Sequence, residues 1–140
     1  METTKNRRAI ARRTGLAIGL AAAGGVLLAK GADAGPAGKG MAKVTVLYGP
    51  PTDPSAFESY YTDHHMPMVY AVKGIARIEL SRPMPGPDGK PPAFYRLTEI
   101  WFKNAAAMKA VTGRPEWKKI ADDVPNFATG GATILVSTLE

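Results

Sequence analysis

The chain carries two imidazoles, and they are adjacent: His64 and His65, followed by Met66 and Pro67. An unperturbed imidazole titrates at about 6.5, so it takes or gives a proton near neutral pH, and general acid–base chemistry is the first reaction type suggested. The residue before a proline is pushed away from helical backbone geometry, so a helix arriving from the N-terminal side breaks or kinks near His65. A histidine at that kink can turn its ring into a pocket between helix and sheet. It can equally hydrogen-bond a backbone carbonyl and fix the kink, and these residues alone leave both readings open. A metal suits the pair poorly. Helical neighbours point about 100° apart, chelating pairs sit four residues apart, and the nearby acid is Asp63 alone. No metal is expected.

The side chains placed to line a pocket beside His65 are Tyr61, His64, Tyr95, Glu99 and Trp101, which become the candidate substrate-binding residues. His64 shares a helical stripe with Phe57, Tyr60 and Tyr61, so it is expected to line the core rather than to react. Tyr95, Glu99 and Trp101 share one parity on a strand, and Arg77 and Glu79 share one on another. If either set points into an enclosed space, its charged members need partners there; the alternative is a cross-strand ion pair at a sheet edge. Other chemistries lack their residues. Cysteine is absent, which removes disulfides, thiolate metal sites and thiol nucleophiles. There is no G-x-G-x-x-G, no P-loop and no Gly-x-Ser-x-Gly elbow, and Gly130-Gly131 fits a turn or bulge before a strand. No nicotinamide or flavin domain is evident, so no cofactor is expected.

The elements that must hold these residues follow from pattern. Residues 43–48 (KVTVLY) form a β-branched, aromatic strand stopped by Gly49-Pro50-Pro51. Asp53-Pro54 starts a helix, with Asp as cap and Pro in the first turn. Phe57, Tyr60, Tyr61, His64 and Met68 then recur at helical spacing. Residues 75–82 alternate as a second strand, and 83–92 (PMPGPDGKPP) can only be a loop. Residues 94–102 form the third strand. Asn104 caps a second helix, which Gly113-Arg114-Pro115 interrupts and which resumes over 116–123. Residues 132–139 form the last strand. The order β-α-β-β-α-β predicts an α+β, ferredoxin-like layout with both helical segments on one face of a four-stranded antiparallel sheet. Apolar residues occur at both parities of these strands, and a bare apolar face of that size exceeds what a monomer normally exposes. A homodimer is therefore expected.

The domain occupies only part of the chain. Residues 1–13 are polar and basic, 16–29 form an uncharged run of fourteen residues, and Ala32-Asp33-Ala34 offers a small-x-small cleavage site. That is the order of a signal peptide. As a helix the run spans about 21 Å, short of a hydrocarbon core of about 30 Å. Arg7-Arg8 with Ile10 two positions on, the glycine-rich run and Lys30 before the cleavage site look like a twin-arginine (Tat) signal; a Sec signal or an uncleaved anchor is the alternative. The expectation is a signal peptide over 1–34, cleaved after Ala34, a flexible linker over 35–41, and a domain over 42–140 that is exported, to the periplasm or another extracytoplasmic space. The membrane is touched only through the presequence, if that is retained. Residues 1–34 hold a net charge of +4 and residues 35–140 a net of +2. The body therefore carries no basic stripe, and no nucleic-acid partner is expected.

Five stretches together resemble the EthD family: KVTVLYGPPTDPSAFESYY, the HHMP after it, RIELSR, YRLTEIWF and NFATGGATILV, in this order from about Ala42 to Leu139. The resemblance implies a dimeric α+β barrel, in which two sheets pack face to face. It places the family's His-x-Pro motif on His65 and Pro67, and so makes His65 the candidate catalytic residue. It also implies an oxidoreductase or monooxygenase-type enzyme without a cofactor, or an acid–base enzyme, acting on a small hydrophobic or aromatic molecule. The alternative is a non-catalytic binding or accessory module of an oxygenase or degradation system.

Overall fold

The computed structural model describes residues 38–140. The expected presequence over 1–34 and the first linker residues lie outside the described residues. Within them, the end of the expected linker is tied to the body. Gly38–Met41 closes a turn with Gly40 at φ +85°, and the Gly40 N–H donates to the Leu139 carbonyl at 3.0 Å.

Strand β1 (Ala42–Tyr48) runs into α1 (Pro54–Tyr60), a π-turn (Tyr61–His65) and α2 (Met66–Ala71). Strands β2 (Arg77–Ser81) and β3 (Arg96–Phe102) come next, then α3 (Ala105–Thr112), α4 (Pro115–Asp123), a 3₁₀ turn (Val124–Asn126) and β4 (Ala132–Thr138). All pairings are antiparallel, in the order β2-β3-β1-β4. This is the ferredoxin-like α+β arrangement, with the two chain-distant strands β1 and β3 paired at the centre.

The helix starts form where the caps allow. Asp53 Oδ1 accepts from the Ala56 N–H at 3.0 Å with Pro54 opening the first turn, and Asn104 Oδ1 accepts from the Ala107 N–H at 2.8 Å. Each such cap is worth about 1 kcal/mol because it satisfies a free amide of the first turn. Pro115 likewise opens α4 after the break at Gly113.

Register decides which strand residues meet the helices. Val44, Val46 and Tyr48 of β1 lie beside Ile100, Thr98 and Arg96 of β3 on one face. On the opposite face, Lys43, Thr45 and Leu47 lie beside Trp101, Glu99 and Leu97. The core forms on the helix side, where Tyr48, Phe57, Tyr61 and Phe127 pack mostly edge-to-face at centroid distances of 5.2–5.9 Å. Offset and edge-on contacts of this kind suit the ring quadrupole and add to the burial itself.

Two corrections concern the first helix and the bare face. The predicted stripe through Tyr60, His64 and Met68 is rotated: Phe57, Tyr61, His65 and Val69 are buried, whereas His64 faces solvent. The cause is the π-turn, in which the Met66 N–H reaches back five residues to the Tyr61 carbonyl. That extra residue per turn shifts everything after Tyr61. On the helix-free face, the apolar residues Leu47, Leu97 and Leu135 are interspersed with charged residues gathered around Trp101.

Candidate active site

The site is assembled at the end of the first helical segment and the end of the second. His65 sits in the π-turn, 3 % exposed, and its Nδ1 lies 2.8 Å from Asp123 Oδ2, contributed by the last residue of α4. The other oxygen, Asp123 Oδ1, accepts from the Tyr60 hydroxyl at 2.8 Å and the Asn126 amide at 3.0 Å. An ionised carboxylate only accepts, so His65 Nδ1 carries the hydrogen and Nε2 keeps its lone pair. The ring is clamped by Phe127, centroid 4.6 Å away, and by Tyr61, nearly parallel at 5.9 Å.

Burial lowers the pKa of His65 below the ordinary 6.5; the hydrogen bond and charge of Asp123 pull the other way without cancelling it. For Asp123, burial pushes upward, but hydrogen bonds from His65, Asn126 and Tyr60 together outweigh it and hold the carboxyl below 3.8. At neutral pH the pair is therefore a neutral imidazole donating to a carboxylate. That is an oriented base rather than a salt bridge.

His65 forms part of the wall of a cavity of about 200 Å³ between the sheet and the helices. Val44, Val46 and Ile100 floor it, Trp117 and Ile120 of α4 close one side, and Ile134 and Val136 of β4 form the other, where they are 58 % and 61 % exposed. The polar residues in its lining are His65, Tyr48, Thr98 and Thr112. Among the described residues no Lys, Arg, Asp or Glu lines this space.

Of the residues chosen from sequence, the structure brings Tyr61 and His65 together and sends the others elsewhere. Tyr61 backs the imidazole, and its hydroxyl lies 2.6 Å from Thr98 Oγ1. His64 is exposed and tilts against Tyr60. Tyr95 precedes β3 with its ring edge on Phe57 at 5.2 Å and the Arg82 guanidinium 5.6 Å over its face. Glu99 and Trp101 are odd-numbered on β3 and therefore project from the sheet face away from His65. There Glu99 pairs with Lys43 at 2.5 Å. Trp101 is sandwiched between Lys43 and Arg77 at 4.7 and 4.8 Å and donates its indole N–H to Glu79 at 3.1 Å. Arg77 and Glu79 form their own pair at 3.4 Å. These side chains are ion-paired, but not across an edge: Glu99–Lys43 joins the two central strands and Arg77–Glu79 runs along one strand.

Sequence reasoning missed Asp123. A signal was present: Asp122-Asp123 ends a helix, where the macrodipole is negative and a carboxylate is disfavoured. A carboxylate at that position needs a partner, which is here His65. Tyr48 and Thr98 were likewise read as strand residues only.

A protein-family model described as the EthD domain matches residues 49–131, a span that contains both His65 and Asp123. An 11.0 kDa protein from the thcB–thcC intergenic region of Rhodococcus erythropolis is 35 % identical over 100 residues, covering 71 % of this chain and 96 % of its own. A crystal structure of an EthD-family protein of Bacillus halodurans superposes with TM-score 0.65 at 24 % identity, over 71 % of this chain and 99 % of that one. An EthD-like protein of Ralstonia eutropha gives 0.55 at 28 %, over 72 % and 93 %. Two more distant structures share the fold: a dimeric ferredoxin-like protein of Jannaschia (TM-score 0.55, 14 % identity, 71 % and 100 % covered) and SnoaB, a cofactor-independent oxygenase of Streptomyces nogalater (0.51, 13 %, 71 % and 92 %).

Proposed function

Since the chain belongs to the EthD domain family, we propose that it is a cofactor-independent acid–base enzyme of oxidoreductase type, with His65 moving a proton on a small hydrophobic or aromatic molecule. One observation carries the reading: a buried imidazole that lines an apolar cavity is oriented by Asp123 at 2.8 Å, while its other nitrogen has no protein partner among the described residues. Geometry of this kind fixes the tautomer and keeps the base neutral and competent near pH 7. Oxidation needs no bound cofactor if the substrate supplies the electrons itself. A dihydroxybenzene losing two protons and two electrons to dioxygen gives a quinone and hydrogen peroxide, and His65 Nε2 would take the first proton. The shared fold with a cofactor-independent oxygenase is compatible with this chemistry, although a fold alone does not choose a reaction.

The test is oxygen uptake and product chromatography on a panel of dihydroxybenzenes, with chelator present and no cofactor added. His65→Gln is expected to lower turnover by about 10²–10⁴-fold. Turnover unchanged by that substitution removes His65 from the chemistry. Ligand-dependent stabilisation with no product from the wild type instead favours a binding or accessory module.

The same proposal includes a homodimer formed through the helix-free sheet face, and export to the periplasm through a Tat-like presequence cleaved after Ala34.

A further inference from the structure

We infer that Tyr48 and Thr98 form a hydroxyl donor inside the His65 cavity, selecting a neutral molecule about one ring in size that carries an oxygen acceptor with an ionisable hydrogen on it or beside it. A phenol or an enolisable ketone has this chemistry. The inference rests on the acid–base reading for what happens to the hydrogen, but not for the binding.

The argument is a count of hydrogens. Tyr61 and Thr98 share one hydrogen bond, their oxygens 2.6 Å apart, whereas the Tyr48 hydroxyl has no hydrogen-bond partner among the described residues. Three hydroxyls hold three hydrogens and this one contact uses one, so the Tyr48 O–H and one O–H of the pair are left without an acceptor in the trio. Tyr48 and Thr98 line the cavity, and Tyr61 does not. Burial raises the Tyr48 pKa above that of an ordinary phenol, so Tyr48 stays a donor across any working pH.

The cavity thus offers one O–H donor and one imidazole lone pair in an otherwise apolar wall. A buried donor with no acceptor is costly, and a ligand oxygen is the group that satisfies it. The lack of charged lining side chains disfavours an anion. The volume of about 200 Å³ fits one ring, since an apolar cavity of about 150 Å³ accepts benzene.

The experiment is a ¹⁹F NMR titration of the full chain with 4-fluorophenol and with 4-fluorotoluene, ligands of similar shape that differ in the oxygen. In Tyr48→Phe, the dissociation constant for 4-fluorophenol is expected to rise about tenfold while that for 4-fluorotoluene stays within about twofold. Thr98→Val, which removes the other hydroxyl-bearing residue of the lining without changing side-chain shape, should produce the same selective loss and covers the case in which Tyr48→Phe fails to fold. If both folded variants hold 4-fluorophenol as tightly as the wild type, or weaken both ligands equally, the hydroxyl donor is not a recognition element. Failure of the wild type to bind 4-fluorophenol overturns the inference as well. The two readings separate cleanly: selective loss in Tyr48→Phe alongside unimpaired turnover in His65→Gln sinks the acid–base reading and leaves this one standing.

Discussion

His65 is held by opposing forces whose balance can be read as a pH dependence. Its pKa is lowered because burial disfavours the imidazolium more than Asp123 favours it. The reactive neutral form therefore persists below pH 6.5, and the acid limb of kcat/KM should lie below that value. Linkage has the same sign. The unfolded chain takes up a proton at His65 near pH 6.5 and the folded chain resists it, so this contribution to stability is complete above 6.5 and is lost as pH falls below it. Asp123, held below 3.8, adds a second loss at lower pH still. A melting series from pH 8 to 3 should show decline beginning near 6.5, and a flat profile down to pH 4 would contradict the buried neutral imidazole. Asp123→Asn removes the group that raises the His65 pKa, so the imidazole should titrate lower by NMR and turnover should fall by about tenfold or more. His65 was legible from its motif with Pro67. Asp123 was not, because 58 residues separate the two and only the packing of α4 against the π-turn brings them together.

At the scale of elements, the π-turn is what aims His65. Deleting exposed Thr62 converts it to an ordinary helical turn and rotates every later residue of the segment by about 100° around the helix axis. Loss of the low-field His65–Asp123 proton signal and of activity in a still-helical protein is the expected outcome. The close approach of the chain just after β1 to the chain just before β4 is set by glycine. A Cβ on Gly130 would lie 2.2 Å from the Pro50 carbonyl oxygen, and one on Gly49 would lie 2.2 Å from that of Gly130. Gly130→Ala should therefore cost about 1–3 kcal/mol in denaturant unfolding. The caps at Asp53 and Asn104, the break at Gly113 and the proline-rich loop were all readable, because each depends on local backbone chemistry. The strand ends moved by one or two residues. The helical stripe moved to another face, because a π-turn leaves no pattern in the types of residues that form it.

For the whole molecule, assembly turns on the helix-free face. Leu47, Leu97 and Leu135 lie there with no helix over them, and Leu135 is 51 % exposed. If a second copy packs on that face, light scattering after size exclusion should give twice the chain mass, and Leu135→Lys should shift it to monomer with His65 chemistry retained. A wild-type monomer at micromolar concentration would remove the barrel interpretation for this chain. Export is tested separately, by cell fractionation of the full chain and of a variant with Arg7 and Arg8 both changed to Lys. Retention of the second in the cytoplasm is expected.

From the sequence alone came the element order, the caps, the sheet with helices on one side, the family resemblance and His65 as the residue to watch. These depend on local propensity and on one strand's parity at a time. The partner of His65, the place of Tyr48 and Thr98 in the lining of the same cavity, and the removal of Glu99 and Trp101 to the far face were decided only in three dimensions. Parity states that Glu99 and Thr98 point in opposite directions. Which of them points toward His65 depends on where the helices lie, and that is settled by the burial of Tyr48, Phe57, Tyr61 and Phe127 in one aromatic core.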